Sequence, residues 1–193
     1  MTPDFKTLAQ KSQASQDYFE LWKLLELVWL IQPHNIVEIG VDRGYSLMAW
    51  HQAFQLKDNY DILIGVDTTR DNLGPEVIAL GLQNNIIEGD SHNLDIKQQV
   101  LDRLGDELID FLFIDGDHSY EGAMADFEHY APLVRPGGII AFHDIMRDPA
   151  RVPHHAGVDC RRVFDELKKR HASIEIWNGS AGDNGPGIGV LFV

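Results

Sequence analysis

With a single cysteine, Cys160, the chain has no partner for an intramolecular disulfide, so no covalent staple supports its fold. Long apolar runs are also lacking. The most apolar stretch, Leu21 to Ile31, carries Lys23 and Glu26 and is too short to cross a bilayer. Met1 to Gln16 is polar where a secretory leader would be apolar. These absences predict a cytoplasmic protein with no membrane partner. Basic residues are scarce, 16 Lys and Arg against 30 Asp and Glu, and a net charge of -14 repels a phosphate backbone, which argues against nucleic acid. No repeat, low-complexity tract or linker rich in Pro, Gly and Ser divides the 193 residues, and 44% hydrophobic content suffices for one core.

What is present is an alternation of two kinds of segment. An N-terminal helical segment, 1–33, holds an amphipathic helix over Asp17 to Ile31 with apolar surface enough to roof a site or pack on a second copy. Residues 34–193 then run through short β-branched strands at Ile36–Ile39, Ile62–Val66, Ile86–Ile87, Phe111–Ile114 and Ile139–Phe142. Helical patterns lie between them at Tyr45–Gln55, Pro75–Leu82, His92–Leu104 and Tyr120–Leu133. Strand and helix in turn predict an α/β, Rossmann-like, doubly wound parallel sheet. A helix over Asp159–His171 and strands at Ser173–Trp177 and Ile188–Val193, joined by a Gly-rich turn, predict an antiparallel C-terminal hairpin at one edge.

Ligands of such sheets bind beyond the carboxyl ends of the strands, and the polar residues collect there. Strand one ends V-E-I-G-V-D-R-G-Y-S, with Gly40 and Gly44 bracketing the turn into a helix. Strand two ends at Asp67, near the distance at which an acidic residue reaches ribose hydroxyls. Strand three ends E-G-D-S-H, which sets Asp90, Ser91 and His92 at the same crevice, as adenine-reading groups or as the cap of the next helix. The loop lacks the second glycine of a dinucleotide fingerprint: Asp42 stands there and would repel a pyrophosphate. A nicotinamide-dependent oxidoreductase is thereby disfavoured. An adenosine cofactor without phosphate, S-adenosylmethionine, is favoured.

These segments, with F-I-D-G-D-H-S-Y-E and R-P-G-G-I-I-A-F-H-D, together resemble the class I S-adenosylmethionine-dependent methyltransferases. More narrowly they are similar to small-molecule O-methyltransferases of the catechol type and of the cephalosporin hydroxylase or rhamnosyl O-methyltransferase group. The resemblance implies a seven-stranded sheet and methyl transfer to a small hydroxylated acceptor, a sugar or a phenol. It places Glu38, Gly40 and Gly44 in the cofactor loop, Ser46 near the methionine carboxylate, Asp67 on the ribose, and Asp90, Ser91 and His92 around the adenine.

Asp115 ends strand four, and His143 with Asp144 end strand five. Carboxylates from adjacent strand ends suit Mg²⁺, so Asp115, His143 and Asp144 are candidate ligands, although His143 stands where the catechol type has a carboxylate. The catechol type has its base three residues after the first metal aspartate, which is His118 here. Imidazole titrates near neutral pH and can take a hydroxyl proton. A metal-free reaction with His118 or His143 as base, assisted by Asp115, is the alternative. Asp117 reads as a solvated turn residue, and Arg147 to His155 as a loop that could cover the acceptor through His154 or His155. A catalytically silent cofactor-binding domain and a homo-oligomer both remain compatible with the sequence.

Overall fold

The computed structural model describes residues 3–55, 62–147, 157–179 and 186–193. His154, His155 and the middle of the Gly-rich turn lie outside the described residues. Seven strands form one sheet in the order β3-β2-β1-β4-β5-β7-β6. They are β1 (Asn35–Ile39), β2 (Ile62–Asp67), β3 (Ile86–Glu88), β4 (Ile109–Ile114), β5 (Val134–Phe142), β6 (Ala172–Ile176) and β7 (Ile188–Phe192). β1 to β5 pair in parallel, whereas β7 runs antiparallel to both β5 and β6. The sheet is therefore Rossmann-like, doubly wound and mostly parallel, with an antiparallel C-terminal hairpin.

Alternating residues of each strand enter opposite cores, as the pleat requires. Phe111 and Phe113 pack with Trp50 on the face covered by α1 (Phe5–Lys11), α2 (Tyr18–Leu30) and α3 (Tyr45–Gln55). Leu112 and Ile114 pack on the face covered by α5 (Leu94–Leu104), α6 (Tyr120–Tyr130) and α7 (Cys160–Leu167). Every residue of β1 and of β4 is buried, which fits β-branched and aromatic runs that read as continuous rather than alternating. Because β1 is flanked by β2 on one side and β4 on the other, the strand order reverses beside it and opens a crevice at the carboxyl ends.

Several boundaries differ from the sequence reading. α1 was not expected; Asp4 caps it by accepting from the Thr7 amide, and its Phe5 ring meets Trp29 at 5.3 Å. α4 (Pro75–Ala79) stops before Leu82, which begins a 3-10 turn instead. α5 starts at Leu94, capped by Asn93 rather than by Asp90 or Ser91. α6 gives way after Tyr130 to a 3-10 turn holding Pro132. α7 spans less than the expected Asp159–His171. β5 begins at Val134, ahead of Ile139, because its Pro-Gly-Gly stretch finds backbone partners in the C-terminus: Gly137 N donates to Val193 O (2.8 Å) and Val193 N to Gly138 O (3.1 Å).

Candidate active site

The loop after β1 lies against the end of β4. At Gly40 (φ +84°) a Cβ would fall 2.2 Å from the Asp115 carbonyl oxygen, so only glycine allows this approach. Asp42 adopts φ +46°, a left-handed conformation that Asp tolerates better than most residues. The Asp67 carboxylate holds the loop in place: Oδ2 accepts from the amides of Val41 and Asp42, both at 2.7 Å, and Oδ1 from that of Thr69 at 3.1 Å. Beneath the loop Glu38 is fully buried and accepts from Ser46 Oγ and, at 3.1 Å, from Trp50 Nε1. Burial pushes its pKa up to about 8 despite these donors.

Gly40, Asp67, Asp90, Ser91 and His92 line one cavity of about 450 Å³. Asp90 Oδ1 accepts from the His92 amide (2.9 Å), and Ser91 Oγ donates to Asp126 Oδ1 (2.6 Å). A second cavity of about 590 Å³ is lined by Gln13, Ser15, Ser46, Asp115, His118 and Asp144, among others. Gly40, Asp42, Asp115 and Gly116 belong to both. S-adenosylmethionine suits the first cavity and the shared wall: carboxylates accept from hydroxyl and ammonium groups and favour a sulfonium cation, while the close-approach glycine leaves room for the ligand.

The sequence-expected catalytic residues converge around Asp115, the one of them that belongs to the shared wall. Asp115 Oδ1 lies 2.8 Å from His143 Nδ1 and 3.1 Å from His118 Nε2. His118 Nδ1 lies 2.9 Å from Asp144 Oδ2. Asp144 sits at φ +61° after β5, and its Oδ1 is 2.6 Å from Arg147 Nε. Burial alone would raise the Asp115 pKa, but His143 and His118 hold it down to about 2. Hydrogen bonds to Asp115 and Asp144 push that of His118 up to about 10, so the ring carries a proton at neutral pH. This corrects the expectation of an imidazole titrating near 6.5. His143 is 2% exposed, and its Nε2 is buried without a hydrogen-bond partner among the described residues.

The same contacts test the expected Mg²⁺ site. Both oxygens of Asp115 accept from nitrogen donors, Oδ2 from Gln16 Nε2 at 2.7 Å, and both oxygens of Asp144 are likewise taken. Among the described residues no group of three or more His, Cys, Asp or Glu is arranged to hold a metal ion. As arranged, Asp115, His143 and Asp144 do not fit one. The cause is His118, whose ring lies between the two carboxylates, with His143 contributing a nitrogen donor in place of a third carboxylate.

Four partners of the site escaped the sequence reading. Gln16 reaches Asp115 across 99 positions, for which no local pattern exists. Glu20, fully buried on α2, accepts from the Gly187 amide at 3.1 Å, and burial pushes its pKa up to about 7. Trp50 donates to Glu38, and Asp126 receives Ser91. Glu20 and Asp126 did leave a signal, since each sits on the buried stripe of its helix, Glu20 with Leu24 and Asp126 with Ala123 and Tyr130. Arg135 pairs with Asp110, away from the site. Asp117 is exposed and accepts from the Ser119 amide, in keeping with a turn residue.

Comparison with known proteins gives the site its setting. A tapetum-specific methyltransferase of Arabidopsis thaliana is 30% identical over 172 residues, covering 81% of this chain and 70% of that protein. A caffeoyl-CoA O-methyltransferase of Eucalyptus globulus is 32% identical over 123 residues, 62% of this chain and 48% of its own length. For two further curated relatives the chain spans 14% and 50% of their length. Among solved structures, an O-methyltransferase from Bacillus cereus in complex with S-adenosylhomocysteine shares the fold with a TM-score of 0.67 at 21% identity, covering 98% of this chain and 90% of that one. The MycE methyltransferase of the mycinamycin pathway, in complex with Mg, S-adenosylhomocysteine and mycinamycin VI, gives 0.65 at 18% identity, covering 99% and 54%. Residues 37–145, from β1 through the end of β5, match the model of a methyltransferase domain. The chain therefore belongs to that methyltransferase-domain family, within the class I S-adenosylmethionine-dependent methyltransferases.

Proposed function

We propose that this protein transfers the methyl group of S-adenosylmethionine to a hydroxyl of a small acceptor, a sugar or a phenol. The observation that carries this reading is the pair of cavities meeting at Gly40, Asp42, Asp115 and Gly116, one walled by the ends of β1 to β3 and the other by His118, Asp115 and Asp144. Relatives named for O-methylation support the choice of oxygen as acceptor atom. Bound across the shared wall, the cofactor supplies a methyl on a sulfonium, ready for in-line attack. Asp67 would meet the ribose while holding the loop that receives the methionine part, with Ser46 near the carboxylate and Glu38 fixing Ser46 from below. Ser91, His92 and Asp90 would meet the adenine.

As the acceptor oxygen bonds the methyl carbon, its proton must leave. A hydroxyl that displaces Asp144 Oδ2 from His118 Nδ1 would face a His118–Asp115 pair, with Asp115 holding Nε2–H and Nδ1 as the basic atom. Losing one of two carboxylate partners brings the imidazole down from its raised pKa, so Nδ1 first releases its own proton to solvent and then takes that of the acceptor hydroxyl. Arg147 retains the displaced carboxylate of Asp144, and His143 braces Asp115 from its buried side. None of these proton movements calls on magnesium. A cytoplasmic setting and a homo-oligomeric state belong to the same proposal.

The test is methyl transfer from labelled S-adenosylmethionine to a panel of hydroxylated acceptors, with and without exhaustive chelation. Transfer that survives chelation is expected. Transfer that requires added Mg²⁺ would restore the metal assignment of Asp115, His143 and Asp144, and hydride transfer to a nicotinamide or no turnover at all would overturn the reading.

A further inference from the structure

Asp126 is a buried carboxylate that the transfer chemistry does not use. It sits on α6 with no exposed surface, and its Oδ2 has no hydrogen-bond partner among the described residues. A buried carboxylate oxygen without a partner costs stability, so the residue is unexplained by packing. Its Oδ1 has definite neighbours: Ser91 Oγ at 2.6 Å and His92 Nε2 at 3.3 Å, the latter also 3.2 Å from the Gly122 carbonyl. The backbone of Ser91 is tied to the same helix, because Tyr130 OH donates to the Ser91 carbonyl at 3.0 Å. α6 thus fixes Ser91 at two points. Ser91 and His92 line the cavity, whereas Asp126 does not.

An ionised carboxylate only accepts, so a serine hydroxyl bonded to it has spent its single proton. Burial pushes the Asp126 pKa up to about 6, which still leaves it ionised in neutral solution. What Ser91 then turns toward the cavity is lone pairs. A purine with an exocyclic amino group at C6 donates to them; a purine with a C6 carbonyl presents a second acceptor and is rejected. We infer that Asp126 is a positioning residue that sets the hydroxyl of Ser91 as an acceptor and so makes the cavity select a 6-amino purine over a 6-oxo purine. The inference rests on the reading that this cavity holds the adenosine part of the cofactor.

The probes are S-adenosylhomocysteine and its deaminated analogue S-inosylhomocysteine, titrated calorimetrically into wild type, Asp126→Asn, Asp126→Leu and Ser91→Ala. Wild type is expected to prefer the adenosyl ligand by about tenfold or more, the worth of one hydrogen bond and one avoided acceptor clash. Both Asp126→Leu and Ser91→Ala should collapse this ratio toward unity. In Asp126→Asn the amide can donate to Ser91 and turn its proton to the base, so the ratio should fall there too, and this near-isosteric variant decides the matter if the leucine variant does not fold. A merely structural role would weaken both ligands alike and leave the ratio unchanged. An undiminished ratio in folded Asp126→Asn, or no preference in wild type that binds S-adenosylhomocysteine, overturns the inference. Wild type that binds neither ligand overturns the cofactor reading itself.

Discussion

His118 shows how far neighbours can move a side chain from its usual chemistry. Two carboxylates hold both of its nitrogens and favour its cationic form, so the proposed role as base requires one partner to leave. His118→Gln keeps hydrogen-bonding capacity and loses the titrating ring; turnover should fall by roughly 10² to 10⁴-fold. Affinity for S-adenosylhomocysteine should stay unchanged in the same titration, and wild-type turnover in the variant would remove His118 from the chemistry. Glu38 is the opposite case, a carboxyl held neutral by burial. Its folded pKa of about 8 lies above the ordinary 4.5, so its contribution to stability is fully present below pH 4.5 and is lost as pH rises through 8. The shift corresponds to roughly 5 kcal/mol at most. In urea unfolding, the stability advantage of wild type over Glu38→Gln should shrink steadily from pH 5 to pH 8; a constant gap would show that Glu38 is charged in the folded protein.

At the scale of elements, the strand ends matter more than the strands. Gly40 and Gly81 share nearly the same φ, +84° and +77°, but a Cβ at Gly40 meets the Asp115 carbonyl at 2.2 Å whereas the nearest atom at Gly81 is 4.0 Å away. Gly81→Ala should therefore cost only the left-handed backbone, about 1 to 2 kcal/mol. Gly40→Ala adds a backbone clash between β1 and β4 and should cost more, with loss of cofactor binding; equal thermal shifts for the two variants would refute that account. The elements themselves were largely legible. β1, β2 and β4 announced themselves through β-branched and aromatic runs ending in Gly or Asp, and the polar residues at those ends are the ones that line the cavities. Boundaries were less so, because they depend on partners elsewhere in the chain: the Arg-Pro-Gly-Gly start of β5 reads as a turn until Val193 lies beside it. The pairing of His118 with both carboxylates was hidden for the same reason. Sequence placed His118, Asp115 and Asp144 at neighbouring strand ends, but whether they would gather a metal or one another depends on side-chain directions.

At the scale of the molecule, the helices before β1 close the site made by the strands after it. Gln16 donates to Asp115, residues 13–15 line the second cavity, and Glu20 accepts from the Gly187 amide just before β7. Gln16→Ala should raise the acceptor KM or lower turnover while leaving S-adenosylhomocysteine affinity in place; a change in cofactor affinity alone would put the N-terminal segment at the wrong cavity. Among the described residues no helix is long and apolar enough to cross a membrane.

Every role proposed for these residues depends on the cofactor. Calorimetric titration of wild type and Asp67→Ala with S-adenosylhomocysteine and with NAD reads it directly, since Asp67 both clamps the loop at Val41 and Asp42 and lines the cavity. Wild type is expected to bind S-adenosylhomocysteine and not NAD, and Asp67→Ala to bind it more weakly by about 1 to 3 kcal/mol. Binding of NAD without S-adenosylhomocysteine, or unchanged affinity in folded Asp67→Ala, would contradict it.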